Sequence, residues 1–212
     1  YADELAGFQA SGALSTLQVG ALTTTTVQLL STTQLNALTT TTTAALSTTQ
    51  VSSLTVTQLA GLNTTHFTAL STTQIGALTT TQVKGLSTTD VAAFTTTQIG
   101  ALSTVQVGVL TDTQLDNLTT TSVATFSTAQ VSALTNTQIG FLSTAAVQAL
   151  STTQVGALTS VQIGGLTTTQ LNAFTTTVFQ ALSTTQVSSL TVTQVKGLST
   201  TNLNALTTTQ VG

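Results

Sequence analysis

An eight-residue period runs through the sequence and constrains its fold more than any other feature. From Leu14 to Gly212 a motif close to Leu-Ser/Thr-Thr-Thr-Gln-Val-x-Ala recurs 25 times without insertion or deletion. Self-similarity at a fixed period is typical of a stacked array of repeats. We therefore predict a degenerate lead over residues 1–13, followed by an octapeptide-repeat solenoid over residues 14–212. The last repeat carries no atypical polar cap, so we expect further repeats or another chain to cover it.

The apolar residues of the repeat rule out both a continuous strand and a continuous helix. We label its positions a to h, with Leu14 at a. Position a is Leu or Phe throughout, and position f is Val, Ile, Leu or Phe everywhere except Thr43. A strand places a and f, five residues apart, on opposite faces. A helix rotates the apolar pair by about 80° per repeat. The backbone must therefore turn within each octad.

Each octad also carries the signals that begin a helix. Position b is a Ser or Thr in nearly every repeat, and position e is Gln in 17 repeats, so Ser151 and Gln154 form a capping box. Leu150 and Val155 precede and follow that cap as a hydrophobic staple. These signals predict an all-α solenoid, or superhelix, with one very short helix per octad. Positions a and f then fill the core, e and h share their arc of the helix, and b, c, d and g lie on the other.

A β-solenoid remains the alternative. Thr, Val and Ile favour strands, and a helix of about seven residues is unstable without neighbours. Ser and Thr also alternate at position b, as in Ser31, Thr39, Ser47 and Thr55. That alternation indicates a 16-residue coil with one octad on each side.

The composition excludes several classes of function. Only 3% of the residues are charged and the net charge is −3, so no basic surface is available for a nucleic-acid backbone. No apolar run approaches the roughly 20 residues of a membrane span, so we expect no membrane insertion. Cysteine is absent, which excludes disulfides and thiolate metal sites. A polar surface with so few charges favours association.

The residues that could carry chemistry are few and scattered. His66 is the only histidine and occupies the Gln position of its octad, so we interpret it as a polar replacement at a helix cap. Asp112 and Asp116 are four residues apart, a spacing that could pair carboxylates on one helix face, but surface substitution explains them better. We therefore expect no catalytic, cofactor-binding or metal-binding residues and no enzymatic activity.

The octad Leu150–Ala157 resembles the tandem octapeptide repeats of large bacterial surface or secreted proteins of the adhesin-like kind. Its opening is also similar to the Leu-Thr-Pro-x-Gln-Val helix start of helical repeat proteins, with Thr152 in the place of Pro. The resemblance implies an exported structural protein. It assigns no haem-binding residue to this chain, because His66 stands alone.

These observations together indicate a structural protein. We expect a repeat scaffold that self-assembles, end to end and laterally, into an extracellular bacterial filament or fibre or an adhesin stalk at the cell surface. The alternative is a binding module in which a flat array of Thr side chains contacts ice or a polysaccharide. That alternative requires the β-solenoid, because short helices do not present such a face.

Overall fold

The computed structural model describes residues 14–212, in which each octad forms one short α-helix. The lead predicted over residues 1–13 lies outside this range. In chain order, the helices α1 to α25 are Thr16–Gly20, Thr24–Leu29, Thr32–Ala37, Thr40–Ala44, Thr48–Ser53, Val56–Ala60, Thr64–Ala69, Thr72–Gly76, Thr80–Lys84, Thr88–Ala93, Thr96–Ala101, Thr104–Gly108, Asp112–Asp116, Thr120–Ala124, Thr128–Ala133, Asn136–Phe141, Thr144–Gln148, Thr152–Gly156, Ser160–Gly165, Thr168–Ala173, Thr176–Gln180, Thr184–Ser188, Val192–Gly197, Thr200–Ala205 and Thr208–Val211.

The helices belong to two compact units. The first extends to Leu102 and contains α1 to α11, and the second is Ser103–Gly212 and contains α12 to α25. Both are built from the same octad, so the account of one repeat applies within each unit.

Each helix begins where the capping signals predict it. Ser151 is extended (φ −71°, ψ 161°), and its Oγ accepts a hydrogen bond from the backbone N–H of Gln154 at 3.2 Å. In return, Oε1 of Gln154 accepts the backbone N–H of Ser151 at 2.8 Å. This reciprocal capping box is confirmed at every Gln of position e, and Asp90 forms one as well. The caps satisfy N–H groups that the first turn leaves unpaired.

Helices α1 to α24 end at position g or h, just before the next position a. Leu166, for example, is extended (φ −67°, ψ 139°), while its N–H still donates to the carbonyl of Ile163 at 3.2 Å. The chain therefore leaves the helix at a, begins the next at b and turns within every octad.

The predicted core positions are confirmed. Position f is at most 1% exposed from Val19 to Phe179, and position a is 3–6% exposed from Leu30 to Leu182. Position h is less buried than the helical wheel suggests, since only Ala205 among the described h residues is fully buried. The chain is already turning away at h, which carries that side chain off the core-facing arc.

Successive helices wind into coils within each unit. Each helix packs against the helix three octads later, as α16 (Asn136–Phe141) does against α19 (Ser160–Gly165). Hydrogen bonds also reach the helix four octads away, so one superhelical turn takes between three and four octads.

The units are therefore all-α solenoids of short helices. Residues 14–212 contain no strand, so the alternative β-solenoid is wrong. Capping at every octad explains the outcome, because it offsets the strand preference of Thr and Val. Among these residues, no helix has the length and apolar character needed to cross a membrane.

Candidate functional site: the glutamine clamp between coils

The most distinctive polar feature is the series of Gln side chains at position e. From Gln50 onward they are buried, as Gln98 and Gln154 illustrate at 2% and 5% exposure. A buried primary amide has an oxygen that must accept and a nitrogen that must donate. The capping box accounts for the oxygen alone.

The amide nitrogen bonds to a different coil. Nε2 of Gln154 donates to the carbonyl oxygens of Phe126, Val123 and Ala124 at 2.7, 3.2 and 3.3 Å, residues that lie 28, 31 and 30 positions earlier. One amide therefore joins the start of α18 (Thr152–Gly156) to the end of α14 (Thr120–Ala124), four helices before it. We call this two-sided contact the glutamine clamp.

The clamp repeats through both units with the same spacing. The carbonyl of position a, 28 residues earlier, is the shortest acceptor in every case. The other glutamines that bond to a coil of their own unit are Gln50, Gln58, Gln74, Gln82, Gln98, Gln138, Gln162, Gln170, Gln186, Gln194 and Gln210.

The clamp answers a need that the turn at position a creates. The backbone is extended there, so the carbonyl of that residue is not part of a helical ladder, although the side chain is buried. A buried polar group without a partner costs about 1–3 kcal/mol. The amide from the next coil supplies the missing donor and links the two coils.

Two other residues at position e keep the donor function toward the carbonyl of position a. Nε2 of His66 lies 2.6 Å from the carbonyl oxygen of Leu38, 28 residues earlier, and must carry hydrogen there because a carbonyl only accepts. Thr42 reaches the carbonyl of Leu14 with its hydroxyl at 3.3 Å, in the same register. His66 therefore stands in for Gln toward the neighbouring coil.

Asp90 is the acidic residue at position e, and it has no amide to donate. Its Oδ2 accepts the N–H and the hydroxyl of Ser87 at 3.0 and 2.6 Å, which completes the capping box. Burial raises the pKa of Asp90, and the hydrogen bonds from the side chain and backbone of Ser87 oppose this increase.

The paired carboxylates considered in the sequence lie at the two ends of one helix. Asp112 is the first residue of α13 (Asp112–Asp116) and is half-buried, whereas Asp116 is the last residue and is exposed. Within residues 14–212, no group of three or more His, Cys, Asp or Glu side chains could hold a metal ion. The lysines, Lys84 and Lys196, are both exposed at position g.

The glutamine clamp holds neighbouring coils together by hydrogen bonds. A primary amide does not ionise near neutral pH, so the array positions the backbone through hydrogen bonds. Sequence reasoning assigned the Gln only its local cap. The bond from the amide nitrogen has no local signal in the sequence, because its partner lies 28 residues earlier.

The comparison with known families agrees with a repeat protein. The model of the ALTTAQ repeat matches residues 56–88, 86–120 and 140–168, which together are less than half of the chain. The matched segments lie in the octapeptide array. No curated protein matches the chain.

Proposed function

We propose that this chain is a non-enzymatic structural scaffold that self-assembles into an extracellular bacterial filament or fibre, or into an adhesin stalk. The observation that carries the proposal is the glutamine clamp. It gives each coil an edge of amide donors and an opposite edge of carbonyl acceptors, repeated at 28 residues.

Such a coil is complementary to another coil of the same sequence pattern. A surface that binds the opposite surface of its own kind forms a heterologous contact, and heterologous contacts that do not close give open-ended filaments. Because the octads are nearly alike, a coil from a second copy offers the donors and acceptors that the neighbouring coil offers within one chain.

The charge and the exposed apolar side chains support association. A net charge of −3 spread over 212 residues provides little repulsion between copies. Leu17, Val105 and Val161 are 64–83% exposed at position d, which faces away from the core. These side chains are candidates for lateral contacts.

Extracellular location and a role at the bacterial surface belong to the same proposal. They rest on the resemblance to tandem repeats of exported adhesin-like proteins and on the uncharged, Thr-rich surface. A scaffold built from one repeated contact suits a stalk, since its length follows from the number of octads.

Electron microscopy and sedimentation of the purified chain test assembly. We expect filaments whose amount rises with concentration. Val195, Leu203 and Val211 are f residues that are 40–66% exposed, and replacing all three with Lys should suppress filaments while the helical circular dichroism stays unchanged. The matched control replaces Val192, an exposed residue of position c, with Lys. Monodisperse particles at high concentration would overturn the proposal.

A further inference from the structure

Two asparagines hold helix caps that lack a glutamine. Oδ1 of Asn36 accepts the backbone N–H of Asn63 at 2.8 Å, and Oδ1 of Asn172 accepts that of Ser199 at 2.8 Å. Each acceptor lies 27 residues before its donor, at position g of the helix four octads earlier. The amide nitrogen of Asn36 also donates to the carbonyl of Gly61 at 2.7 Å, so the side chain bridges two groups of the neighbouring coil.

The capped octads are ones in which position e cannot serve the cap. In the first, His66 directs Nδ1 to the side chain of Asn63 and Nε2 to another coil. In the second, Asn202 donates its amide to the carbonyl of Leu171 at 3.0 Å. The N–H at position b is then left without the Gln oxygen that serves it elsewhere, and the asparagine replaces that oxygen.

The sequence repeats this spacing at two further sites, where the structure forms no hydrogen bond between the paired residues. Ala146 and Val178 also occupy position e without an acceptor side chain, and their caps are Ser143 and Thr175. The residues 27 positions before these caps are Asp116 and Gln148, both able to accept. At these four sites, an octad whose e residue leaves the cap N–H without an acceptor thus has an amide or carboxylate at the matching g. The octad of Thr119 also lacks a capping box, and the residue 27 before that cap is Ala92.

In most octads whose e residue accepts the cap N–H, the g residue 27 positions before the cap is small. Asp90 serves its own cap, and the residue 27 before that cap is Ala60. Opposite Gln-containing octads of the same unit, the matching g is Gly, Ala, Ser or Thr, with two exceptions, Gln28 and Gln180. Amide and carboxylate side chains at g therefore occur mainly opposite caps whose N–H has no acceptor at position e.

We propose that position g is a substitute cap for the helix four octads later, and that these g–e pairs fix the register in which coils stack. The repeats are nearly identical, so a shift by one octad leaves the apolar core unchanged. A shift in either direction moves Asn36 to a cap already served by Gln, and the shift that places Ala44 opposite Asn63 leaves the N–H of Asn63 without an acceptor. The pairs disfavour such slippage.

A double-mutant cycle tests the pairing in the full chain. Asn36→Ala should accelerate hydrogen exchange at the N–H of Asn63 by roughly 2- to 10-fold, the equivalent of one hydrogen bond. Adding His66→Gln should abolish this acceleration, because the new Oε1 accepts that N–H. The matched control is Ser52→Ala, since Ser52 lies 27 residues before Thr79, whose octad contains Gln82. Exchange at Thr79 should stay unchanged.

The rescue separates capping from a general structural role. The bond from Asn36 to Gly61 is lost in both Asn36 variants, so a purely structural effect would persist after His66→Gln. Unchanged exchange at Asn63, or acceleration that His66→Gln does not reduce, would overturn the proposal. If Asn36→Ala fails to fold, Ala146→Gln provides the second test. Ala146→Gln should slow hydrogen exchange at the N–H of Ser143, and Asp116→Ala should then leave that exchange rate unchanged. Faster exchange at Ser143 in Ala146→Gln, or an effect of Asp116→Ala that persists beside it, would also overturn the proposal.

Discussion

The side-chain amide nitrogen of Gln154 lies 2.7 Å from the carbonyl oxygen of Phe126, a residue 28 positions earlier in the chain. The oxygen of the same amide lies 2.8 Å from the backbone nitrogen of Ser151. A single side chain thus caps its own helix and holds the preceding coil, and only a group that both accepts and donates can do so.

Gln154→Glu removes the donor and retains the acceptor. The carboxylate would lie buried against the carbonyl oxygens of Phe126 and Val123, so we expect the free energy of unfolding to fall by about 2–5 kcal/mol near neutral pH. The control is Gln180→Glu at exposed position g, where a change within about 0.5 kcal/mol is expected. Urea unfolding followed by helical circular dichroism measures both, and equal effects would contradict the two-sided role.

Much of this architecture is predictable from the octad, and the clamp is not. Ser151 and Gln154 specify where the helix begins, and Leu150 and Val155 specify which face is buried, because these are local or periodic signals. The distance to Phe126 depends on the angle between successive helices, which no local pattern encodes.

Asp90 should make the stability of its unit depend on pH. Burial raises its folded pKa above the ordinary value of 3.8, so its contribution to stability is complete below pH 3.8 and is lost as pH rises through the folded pKa. Asp90→Gln removes this titration and adds an amide in register with the carbonyl of Leu62, 28 residues earlier. Near neutral pH we expect the variant to be more stable by about 1–2 kcal/mol.

Unfolding of wild type and Asp90→Gln at several pH values measures this effect. The difference between the two proteins should narrow below pH 3.8, where Asp90 is protonated in both the folded and unfolded states. The other carboxylates are common to both proteins and cancel in the comparison. A difference that is constant with pH would show that Asp90 titrates alike in both states.

The aromatic pair Phe67 and Phe94 should be energetically coupled. Their ring centroids lie 5.1 Å apart with an interplanar angle of 64°, an edge-to-face arrangement between positions f and a. Leu occupies both positions in other octads, so Phe67→Leu and Phe94→Leu should each fold. A double-mutant cycle in urea should give a coupling of about 0.5–1.5 kcal/mol. Strictly additive losses would mean that the rings act only as apolar volume.

Two adjacent glycines should respond oppositely to the same substitution. A Cβ on Gly165 would lie 2.5 Å from the carbonyl oxygen of Asn136, whereas a Cβ on Gly164 would meet nothing within 4 Å. Both residues are in α19, so helix propensity favours Ala at either position. Gly164→Ala should therefore raise the free energy of unfolding by about 0.5–1 kcal/mol.

Gly165→Ala should instead lower the free energy of unfolding by about 1–3 kcal/mol, because α19 must move away from the backbone of Asn136 in α16. The obstacle is a backbone atom, so a side-chain rotation cannot relieve it. Each variant is the control for the other, and the urea midpoint at unchanged slope measures both. Equal stabilisation by the two alanines would show that α16 and α19 do not approach as closely as these positions require.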